Sequence, residues 1–303
     1  MNMSDGPDDV SLTQVLGERQ HLLNLAFQML GTAADAEDVV QETYARWFRM
    51  SNAERAGIRS PQAWLTRVAG NVCLDVLGSA RHRRVEYVGE WLPEPLSSTA
   101  VGGAGTTADP LDRVTMDDSV TMALLVVLES LTPAERVAFV LHDVFALPFD
   151  DIAEIVGRSS QACRKLASSA RRHIAERRHR EASPERHSAV VREFWAACEG
   201  GDLTALLRLL DPDVVTLVDG GGKVRAALKP IRGADNVSRF LLGSLAKQGE
   251  LSAHLETVST RTGLVFRQHG VVAGVLSFEV KNDLITDLWF VLSPDKLRSW
   301  NRC

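Results

Sequence analysis

Residues 131–178, LTPAERVAFVLHDVFALPFDDIAEIVGRSSQACRKLASSARRHIAERR, decide the fold of the middle of the chain. Thr132, followed three residues later by Glu135, predicts a capping box at the start of a first helix. Gly157 predicts a tight turn between a short helix and a longer one, and Ser159 is placed to cap the longer helix. A helix, a tight turn and a second helix rich in basic residues are typical of a helix-turn-helix unit that binds DNA.

The second helix of this unit carries the side chains that we expect to meet DNA. Cys163 and Leu166 fall on its inward face, which leaves a row of polar and basic side chains for the groove. Arginine and lysine suit guanine, and glutamine suits adenine. Arg171 and Arg172, further along the helix, are better placed for phosphates. The residues expected to face the groove are Ser160, Gln161, Arg164, Lys165 and Ser168.

Charge is distributed unevenly along the chain. The 303 residues include 34 Lys and Arg against 39 Asp and Glu, and the net charge of -5 excludes a uniformly basic nucleic-acid binder. Basic residues nevertheless cluster in Arg-His-Arg-Arg at 81–84 and again over 164–180, where the single acid is Glu176. Two separate basic patches predict two local contacts with DNA.

The first 90 residues predict amphipathic helices. Between Asp35 and Phe48, apolar residues recur at helical spacing, and the polar face of this helix is acidic. An acidic face repels DNA and suits a basic protein partner, although a solvated face is the alternative. The aromatic residues Trp47, Phe48 and Trp64 are interpreted as core side chains and not as platforms for base stacking. The stripes predicted to be buried are Ala36, Val39, Val40, Thr43 and Trp47, then Leu65, Val68, Ala69, Val72 and Val76 after Ser60-Pro61.

Composition divides the chain into blocks. Residues 91–112, WLPEPLSSTAVGGAGTTADPLD, predict a linker whose apolar start docks on another surface. Beyond residue 182, two helices precede several strand-like runs, and Lys281-Asn282-Asp283 is a predicted hairpin turn. Helices followed by an antiparallel sheet form an α+β domain. The predicted organisation is a flexible tail at 1–11, helical domains at 12–90 and 113–182 joined by the linker at 91–112, and an α+β domain at 183–303.

The sequence also argues against several classes of protein. The four cysteines are scattered and form no CxxC, so we expect no metal site and no disulfide framework. No apolar run approaches the length of a membrane span or a signal peptide, so we expect a cytoplasmic protein with no membrane partner. Residues 219–223, DGGGK, lack the spacing of a phosphate-binding loop because Val224 follows the lysine. No cofactor is predicted.

The stretch 22–84 resembles region 2 of the extracytoplasmic-function (ECF) sigma factors, and 131–172 resembles their region 4. This resemblance implies two all-α domains with core RNA polymerase and promoter DNA as partners. Region 2 would bind the clamp helices of the polymerase's largest subunit and melt the minus-ten element, and region 4 would read the minus-thirty-five element. The residues implied at core polymerase are Asp35, Glu37, Asp38, Gln41 and Glu42, and those implied at the minus-ten element are Asn71, Arg81, Arg83 and Arg84. The alternative for Asn71 is an ordinary amide on the surface of a helix.

Three short motifs narrow the resemblance. WLPEP at 91–95, DGGGK at 219–223 and SPDKL at 293–297 resemble signatures of the sigma factors that carry a fused SnoaL-like extension, in which the third motif usually begins with Asn. This implies a cone-shaped α+β domain whose glycine-rich surface touches the linker and receives Trp91 and the prolines. The residues implied in this interdomain contact are Trp91, Leu92, Pro93, Glu94, Pro95, Asp219, Gly220, Gly221, Gly222, Lys223, Pro294, Asp295, Lys296 and Leu297.

The leading hypothesis is therefore a sigma factor whose activity is regulated in cis by its C-terminal domain. The SnoaL-like fold usually encloses an apolar pocket, so a small ligand is an open partner. An enzyme would need a polar pair in that pocket. The candidates His254, His269, Asp283 and Asp287 are interpreted as loop or surface residues, so we expect no enzymatic activity. The alternatives are a ligand-responsive helix-turn-helix regulator and a SnoaL-like enzyme fused to DNA-binding domains.

Overall fold

The structure, a computed structural model, describes residues 15–85, 87–97, 121–178, 182–246 and 251–301. The expected tail at 1–11 and most of the linker at 91–112 lie outside the described residues. The chain divides into two compact units. Of the described residues, unit 1 contains 15–82 and 128–174, and unit 2 contains 83–85, 87–97, 121–127 and the residues from 175 onward.

Helices dominate the first 178 residues. The fold class expected there, two all-α domains, is confirmed, since no strand is found in this part of the described chain apart from a single bridge at Ser97. The helices are α1 (Arg19–Leu30), α2 (Ala33–Arg49), α3 (Asn52–Ala56), α4 (Pro61–Val85), α5 (Met122–Glu129), α6 (Pro133–Phe139), α7 (Phe149–Val156) and α8 (Ser160–Arg178), with a π-helical turn at Val140–Val144.

Helix α2 follows from its sequence as predicted. Thr32 caps it by accepting a hydrogen bond from the Asp35 amide, and the five residues of the predicted stripe are its buried residues. Trp47 is buried and meets Trp64 edge-on, with ring centroids 5.2 Å apart, so the core interpretation of Trp47 is confirmed. It is wrong for Phe48, which is 45% exposed because it lies one residue beyond the buried stripe and outside the helix's apolar face.

The helix-turn-helix unit is confirmed. Thr132 and Glu135 form the reciprocal capping box at the start of α6. Gly157, with φ of +67°, ends α7 in the left-handed conformation that glycine adopts without strain. The Ser159 hydroxyl then accepts a hydrogen bond from the Ala162 amide at the start of α8. The sequence did not predict the π-helical turn after α6.

The described part of unit 2 contains a six-stranded sheet, three complete α-helices and most of α5. The fold class expected for this part, α+β, is confirmed. The helices are α9 (Pro184–Glu199), α10 (Leu203–Leu209) and α11 (Ala234–Leu245). The strands are β1 (Leu210–Asp219), β2 (Ile231–Arg232), β3 (Leu251–Val258), β4 (Arg261–Gln268), β5 (Val271–Lys281) and β6 (Leu284–Val291), and they lie in the order β2-β1-β6-β5-β4-β3.

The expectation of an antiparallel sheet is wrong at one place. Strands β3 to β6 form an antiparallel meander, with Asn282 and Asp283 at positive φ in the predicted hairpin turn. Strand β1, however, pairs parallel to β6, about 70 residues away in sequence. Alternation of apolar residues predicts a strand and its faces, but it does not reveal such a distant partner or its direction.

The sheet buries both of its faces. Alternate residues of β4 show this: Leu264 and Phe266 join a core formed with α9, α10 and α11, whereas Val265 joins a second apolar cluster. That second cluster includes Leu92 from the linker and Met122 from α5. The linker therefore supplies part of the layer that covers one face of the sheet.

We expect unit 1 to lose much of its stability when its buried ion pair is broken. Arg136 is 2% exposed, and its guanidinium donates hydrogen bonds to Glu129 at 2.6 Å and to the Met29 carbonyl at 2.8 Å. Arg136→Ala removes the cation from this buried ion pair and should lower the free energy of unfolding by about 3 kcal/mol. The exposed pair of Arg19 with Glu37 provides the control, since Arg19→Ala should cost less than about 1 kcal/mol. Urea denaturation followed by circular dichroism measures both, and equal losses would contradict the assignment.

Candidate functional site

The best-defined polar site in unit 2 is centred on Asp219, at the end of β1. The Asp219 side chain is fully buried, and its Oδ1 accepts hydrogen bonds from the Tyr87 hydroxyl at 2.7 Å and from the Gly221 amide at 2.9 Å. Its Oδ2 accepts from the Leu92 amide at 2.9 Å and from the Lys296 ammonium at 2.7 Å. A buried carboxylate needs such donors and a cation to offset its desolvation. We call Tyr87, Leu92, Asp219 and Lys296 the linker clamp.

Lys296 completes the clamp from the C-terminal side. Its ammonium donates to the Leu92 carbonyl as well as to Asp219. The same ammonium lies 4.0 Å from the ring centroid of Trp91 and 5.2 Å from that of Tyr87, so it makes cation–π contacts with both rings. A buried lysine is retained only where such partners replace water. One Asp–Lys pair thus holds both backbone groups of Leu92.

The contact continues along the linker beyond Leu92. The Ser299 hydroxyl donates to the buried Glu94 carboxylate, and the Trp300 indole donates to the Pro95 carbonyl at 2.7 Å. Leu96 and Ser259 are joined by two hydrogen bonds. The Leu96 amide donates to the Ser259 hydroxyl, and the Ser259 amide donates to the Leu96 carbonyl. Pro93, Glu94 and Pro95 are buried, and Trp91 is half-buried. The predicted docking of WLPEP is therefore present, and SPDKL supplies Lys296 and the buried Leu297, while Pro294 and Asp295 are exposed.

The glycine run acts differently from the expectation. A Cβ at Gly220 would overlap the Val224 carbonyl, and Gly221, at φ of +64°, lies against Ser293. Gly222 lies against Val88 and not against Trp91 or the prolines. The glycines therefore allow their own loop to fold tightly. The polar contacts to Trp91 and Leu92 come instead from Lys296 and Asp219. Lys223 forms an exposed ion pair with Asp295 at 2.6 Å.

Sequence reasoning missed several parts of this contact. Tyr87 lies four residues before WLPEP, and nothing in the sequence indicates that its hydroxyl meets Asp219. The burial of Met122 could have been predicted from the sequence. Helix α5 reads MALLVVLE and is apolar on nearly all sides, as expected for a helix that is buried on more than one side. The Ser293 hydroxyl, at the first position of SPDKL, interacts with the Tyr87 hydroxyl.

The clamp changes the acid–base behaviour of Tyr87. Burial raises the pKa of its phenol well above the usual value, and the negative charge of Asp219 raises it further. The second tyrosine of the chain, Tyr44, also has a raised pKa because of burial. Both hydroxyls therefore stay protonated at neutral pH, and Tyr87 remains a donor to Asp219.

In unit 1, α8 presents the predicted DNA-reading row to solvent. Cys163 is buried, and the expected outward residues 161, 164, 165, 168, 171 and 172 are all exposed. Three of the side chains have partners within unit 1. Ser160 donates to Asp150, the Arg164 guanidinium lies 5.5 Å from the Phe149 ring centroid, and Arg171 pairs with Asp143 at 2.7 Å. The exposed row has the residue types that read base edges and phosphates.

The acidic face of α2 is partly exposed, and its charge is partly neutralised. Glu37 pairs with Arg19, and Glu42 pairs with Arg46, which lowers the Glu42 pKa below its usual range. Asp35 accepts a hydrogen bond from the Thr32 hydroxyl, so it also serves the helix cap. Asp38 and Gln41 are exposed, and Phe48 lies on the same side of the helix, since residues 38, 41, 45 and 48 follow helical spacing.

Helix α4 packs against the helix-turn-helix unit within unit 1. Arg67 forms an ion pair with Glu154 at 2.6 Å, and a Cβ at Gly70 would lie 3.2 Å from Ile155 and 3.4 Å from Leu141. The Asn71 amide donates to the Arg67 carbonyl of its own helix at 3.1 Å. Arg81, Arg83 and Arg84 lie in the last turns of α4, and their side chains are outside the described residues. Residues 51–60, between α2 and α4, contain the short helix α3.

The interior of the C-terminal domain is filled. The space between α9, α11 and the sheet is lined by apolar residues, including Phe194, Trp195, Phe266 and Phe290, and retains a cavity of only about 20 Å³. None of the four polar candidates for catalysis lines it. His254, His269 and Asp283 are exposed, and Asp287 is half-buried and accepts from Thr286.

The described residues contain neither a metal centre nor a helix that could span a membrane. Within them, no cluster of three or more histidine, cysteine, aspartate or glutamate side chains is arranged to hold a metal ion. No described helix is both long and apolar enough to cross a membrane.

Comparison with known proteins covers nearly the whole chain. The family profiles for Sigma-70 region 2 and Sigma-70 region 4 match residues 15–83 and 121–174. The chain is 39% identical to the ECF RNA polymerase sigma factor SigJ of Mycobacterium tuberculosis, covering 92% of this chain and 90% of that one. It is 37% identical to the probable ECF sigma factor SigI of the same organism, covering 92% of each. The crystal structure of M. tuberculosis SigJ superposes with a TM-score of 0.73 at 36% identity, covering 96% of this chain and 98% of that one.

We expect Asp219→Asn to loosen the linker clamp. The substitution keeps the shape of the side chain but leaves the Lys296 ammonium buried without its anion, so the linker should open more often. Hydrogen exchange at the Leu92 and Leu96 amides should accelerate at least tenfold. Lys223→Ala, which removes an exposed ion pair, is the control and should leave both amides unchanged. Equal exchange in Asp219→Asn and the unaltered protein would refute the clamp.

The clamp should also weaken at high pH. Because the folded-state pKa of Tyr87 is raised, its contribution to stability is complete below the ordinary tyrosine value of about 10 and is lost as pH rises through the folded value. In a Tyr44→Phe variant, Tyr87 is the only tyrosine. Ultraviolet absorbance of tyrosinate should then appear above pH 10 in the folded protein and near pH 10 in urea. A folded-state titration at or below pH 10 would contradict the buried contact with Asp219.

Proposed function

The chain belongs to the ECF RNA polymerase sigma factors, and on this basis we propose that it binds core RNA polymerase and directs it to promoter DNA. The acidic face of α2 is proposed as the polymerase-binding surface. Asp38, Gln41 and Glu42 carry its polar contacts to a basic partner, and the exposed Phe48 adds apolar area beside them.

Helix α8 is proposed to read the minus-thirty-five element. Its exposed row combines Gln161, Arg164 and Lys165 for base edges with Arg171 and Arg172 for phosphates. The basic end of α4, from Arg81 to Arg84, is proposed to contact the minus-ten element with Asn71. In the free protein, Arg67 and Gly70 of α4 pack on the helix-turn-helix unit. We propose that binding of both elements separates these surfaces and exposes the Asn71 side of α4.

The C-terminal domain is proposed to regulate the sigma factor in cis. The observation that carries this proposal is that the linker between the two DNA-reading regions is a structural layer of that domain. Leu92 and Met122, on either side of the undescribed part of the linker, are both buried in one apolar cluster on the sheet. Because the contact is intramolecular, a high effective concentration supports it without strong intrinsic affinity.

The same domain is proposed to have no catalytic role. Its interior cavity of about 20 Å³ is too small for a substrate, and none of the four polar candidates for catalysis lines that cavity. A helix-turn-helix regulator without polymerase does not account for the region 2 match at residues 15–83. As a partner of RNA polymerase, the protein is proposed to work in the cytoplasm.

Transcription in vitro tests the proposal. Core polymerase with the unaltered protein should initiate at a specific promoter that core alone ignores. Asp219→Asn, which releases the linker, should change the rate of initiation several-fold while leaving affinity for core polymerase within twofold. Lys223→Ala is the matched control and should match the unaltered protein. No initiation by any variant would overturn the sigma-factor proposal, and equal rates from Asp219→Asn and Lys223→Ala would overturn regulation through the clamp.

A further inference from the structure

Unit 2 has an outer cleft that adjoins its filled interior at Ser244 and Phe290. The cleft has a volume of about 520 Å³ and lies between α11 and the ends of β1 and β6. Its apolar walls are formed by Val218, Phe240, Phe290 and Leu292. An apolar cleft of this size falls within the range that accommodates small organic molecules.

The polar groups at the cleft are predominantly cationic. Arg225 and Arg239 both line it, and Arg239 is paired with Asp235 at 2.8 Å, so that pair contributes little net charge. Arg225 is exposed, and it has no acidic partner within the described part of the chain. A guanidinium with its donors available beside an apolar wall suits a carboxylate attached to an apolar body.

The loop that carries Arg225 joins the cleft to the linker. Its residues Arg225 and Ala226 line the cleft. Elsewhere on the same loop, a Cβ placed on Gly222 would lie 3.4 Å from the Val88 side chain. A Cβ placed on Gly89 would lie 3.5 Å from the Leu228 side chain. Part of the cleft wall therefore belongs to a segment whose other contacts are with Val88 and Gly89, just before the linker.

A second connection runs through the strands. Val218 lines the cleft and precedes Asp219, the centre of the clamp. Leu292 lines the cleft from the β6 side, and its amide donates to the Asp219 carbonyl at 2.7 Å. A molecule in the cleft would therefore contact Val218, which is the chain neighbour of Asp219, and Leu292, which is hydrogen-bonded to Asp219.

We propose that the outer cleft binds a small organic carboxylate with an apolar, aromatic body, held by Arg225, and that its binding alters the grip of the linker clamp. This rests on the proposed regulatory function and names the chemistry of its signal. The ring walls Phe240 and Phe290 suit an aromatic body, and the loop from Gly220 to Leu228 with the Val218–Asp219 connection transmits occupancy to the linker.

Binding of 2-naphthoate to the full chain, measured by calorimetry, tests the site. The neutral amide 2-naphthamide has nearly the same shape and should bind roughly tenfold more weakly, because it lacks the charge that Arg225 recognises. Arg225→Gln should remove this difference, whereas Arg208→Gln, an exposed arginine on α10, should retain it. Gly243→Leu should block the cleft, since a Cβ at Gly243 meets no described atom within 4 Å and leucine favours the helix. No binding of 2-naphthoate, no preference over the amide, or full binding by Gly243→Leu would each overturn the site.

Hydrogen exchange tests the connection to the clamp on the same samples. Saturating 2-naphthoate should change exchange at the Leu92 and Leu96 amides at least threefold in the unaltered protein and leave it unchanged in Gly243→Leu. Binding without any change at these amides would overturn the link to the linker. Both measurements use free protein without polymerase or DNA, so their failure is distinct from a failure to initiate transcription.

Discussion

The buried carboxylate of Asp219 is the constraint on which unit 2 depends. With no access to water, this charge is tolerable only if several donors and a cation surround it. The donors come from separate parts of the chain: the Tyr87 hydroxyl, the Leu92 amide, the Gly221 amide and the Lys296 ammonium. Removing the linker together with the preceding Tyr87 would leave Asp219 short of two donors and would expose the apolar cluster beneath Leu92. The linker is thus held by an electrostatic requirement as well as by apolar burial.

In unit 1, ion pairs between helices differ in how deeply they are buried. Arg136 joins α6 to α5 through a buried ion pair with Glu129 and to the end of α1 through a hydrogen bond to the Met29 carbonyl. Arg67, by contrast, joins α4 to α7 through an exposed ion pair. Buried pairs are costly to break and exposed pairs are cheap, so the contact through α4 is the one suited to reversible opening. This difference fits the proposal that the surfaces of α4 and the helix-turn-helix unit separate when promoter DNA binds.

Sequence alone predicted the parts of the structure that local physics determines. The capping box of Thr132, the turn at Gly157 and the buried stripe of α2 follow from spacing within a few residues. The resemblance to a family supplied the motifs WLPEP, DGGGK and SPDKL, but not how they meet. The parallel pairing of β1 with β6 and the contact of Tyr87 with Asp219 join residues far apart in sequence, and no local pattern encodes such partners. Phe48 was predicted to be a core residue but is exposed, because it lies one position beyond the apolar stripe of α2.

The central claim is that the clamp holds the linker in the free protein and releases it for initiation. Hydrogen exchange of the Leu92 and Leu96 amides, measured in the free protein and in an open complex of core polymerase with promoter DNA, tests it most directly. The account predicts protected amides in the free protein and a large loss of protection in the open complex. Equal protection in both states would contradict it.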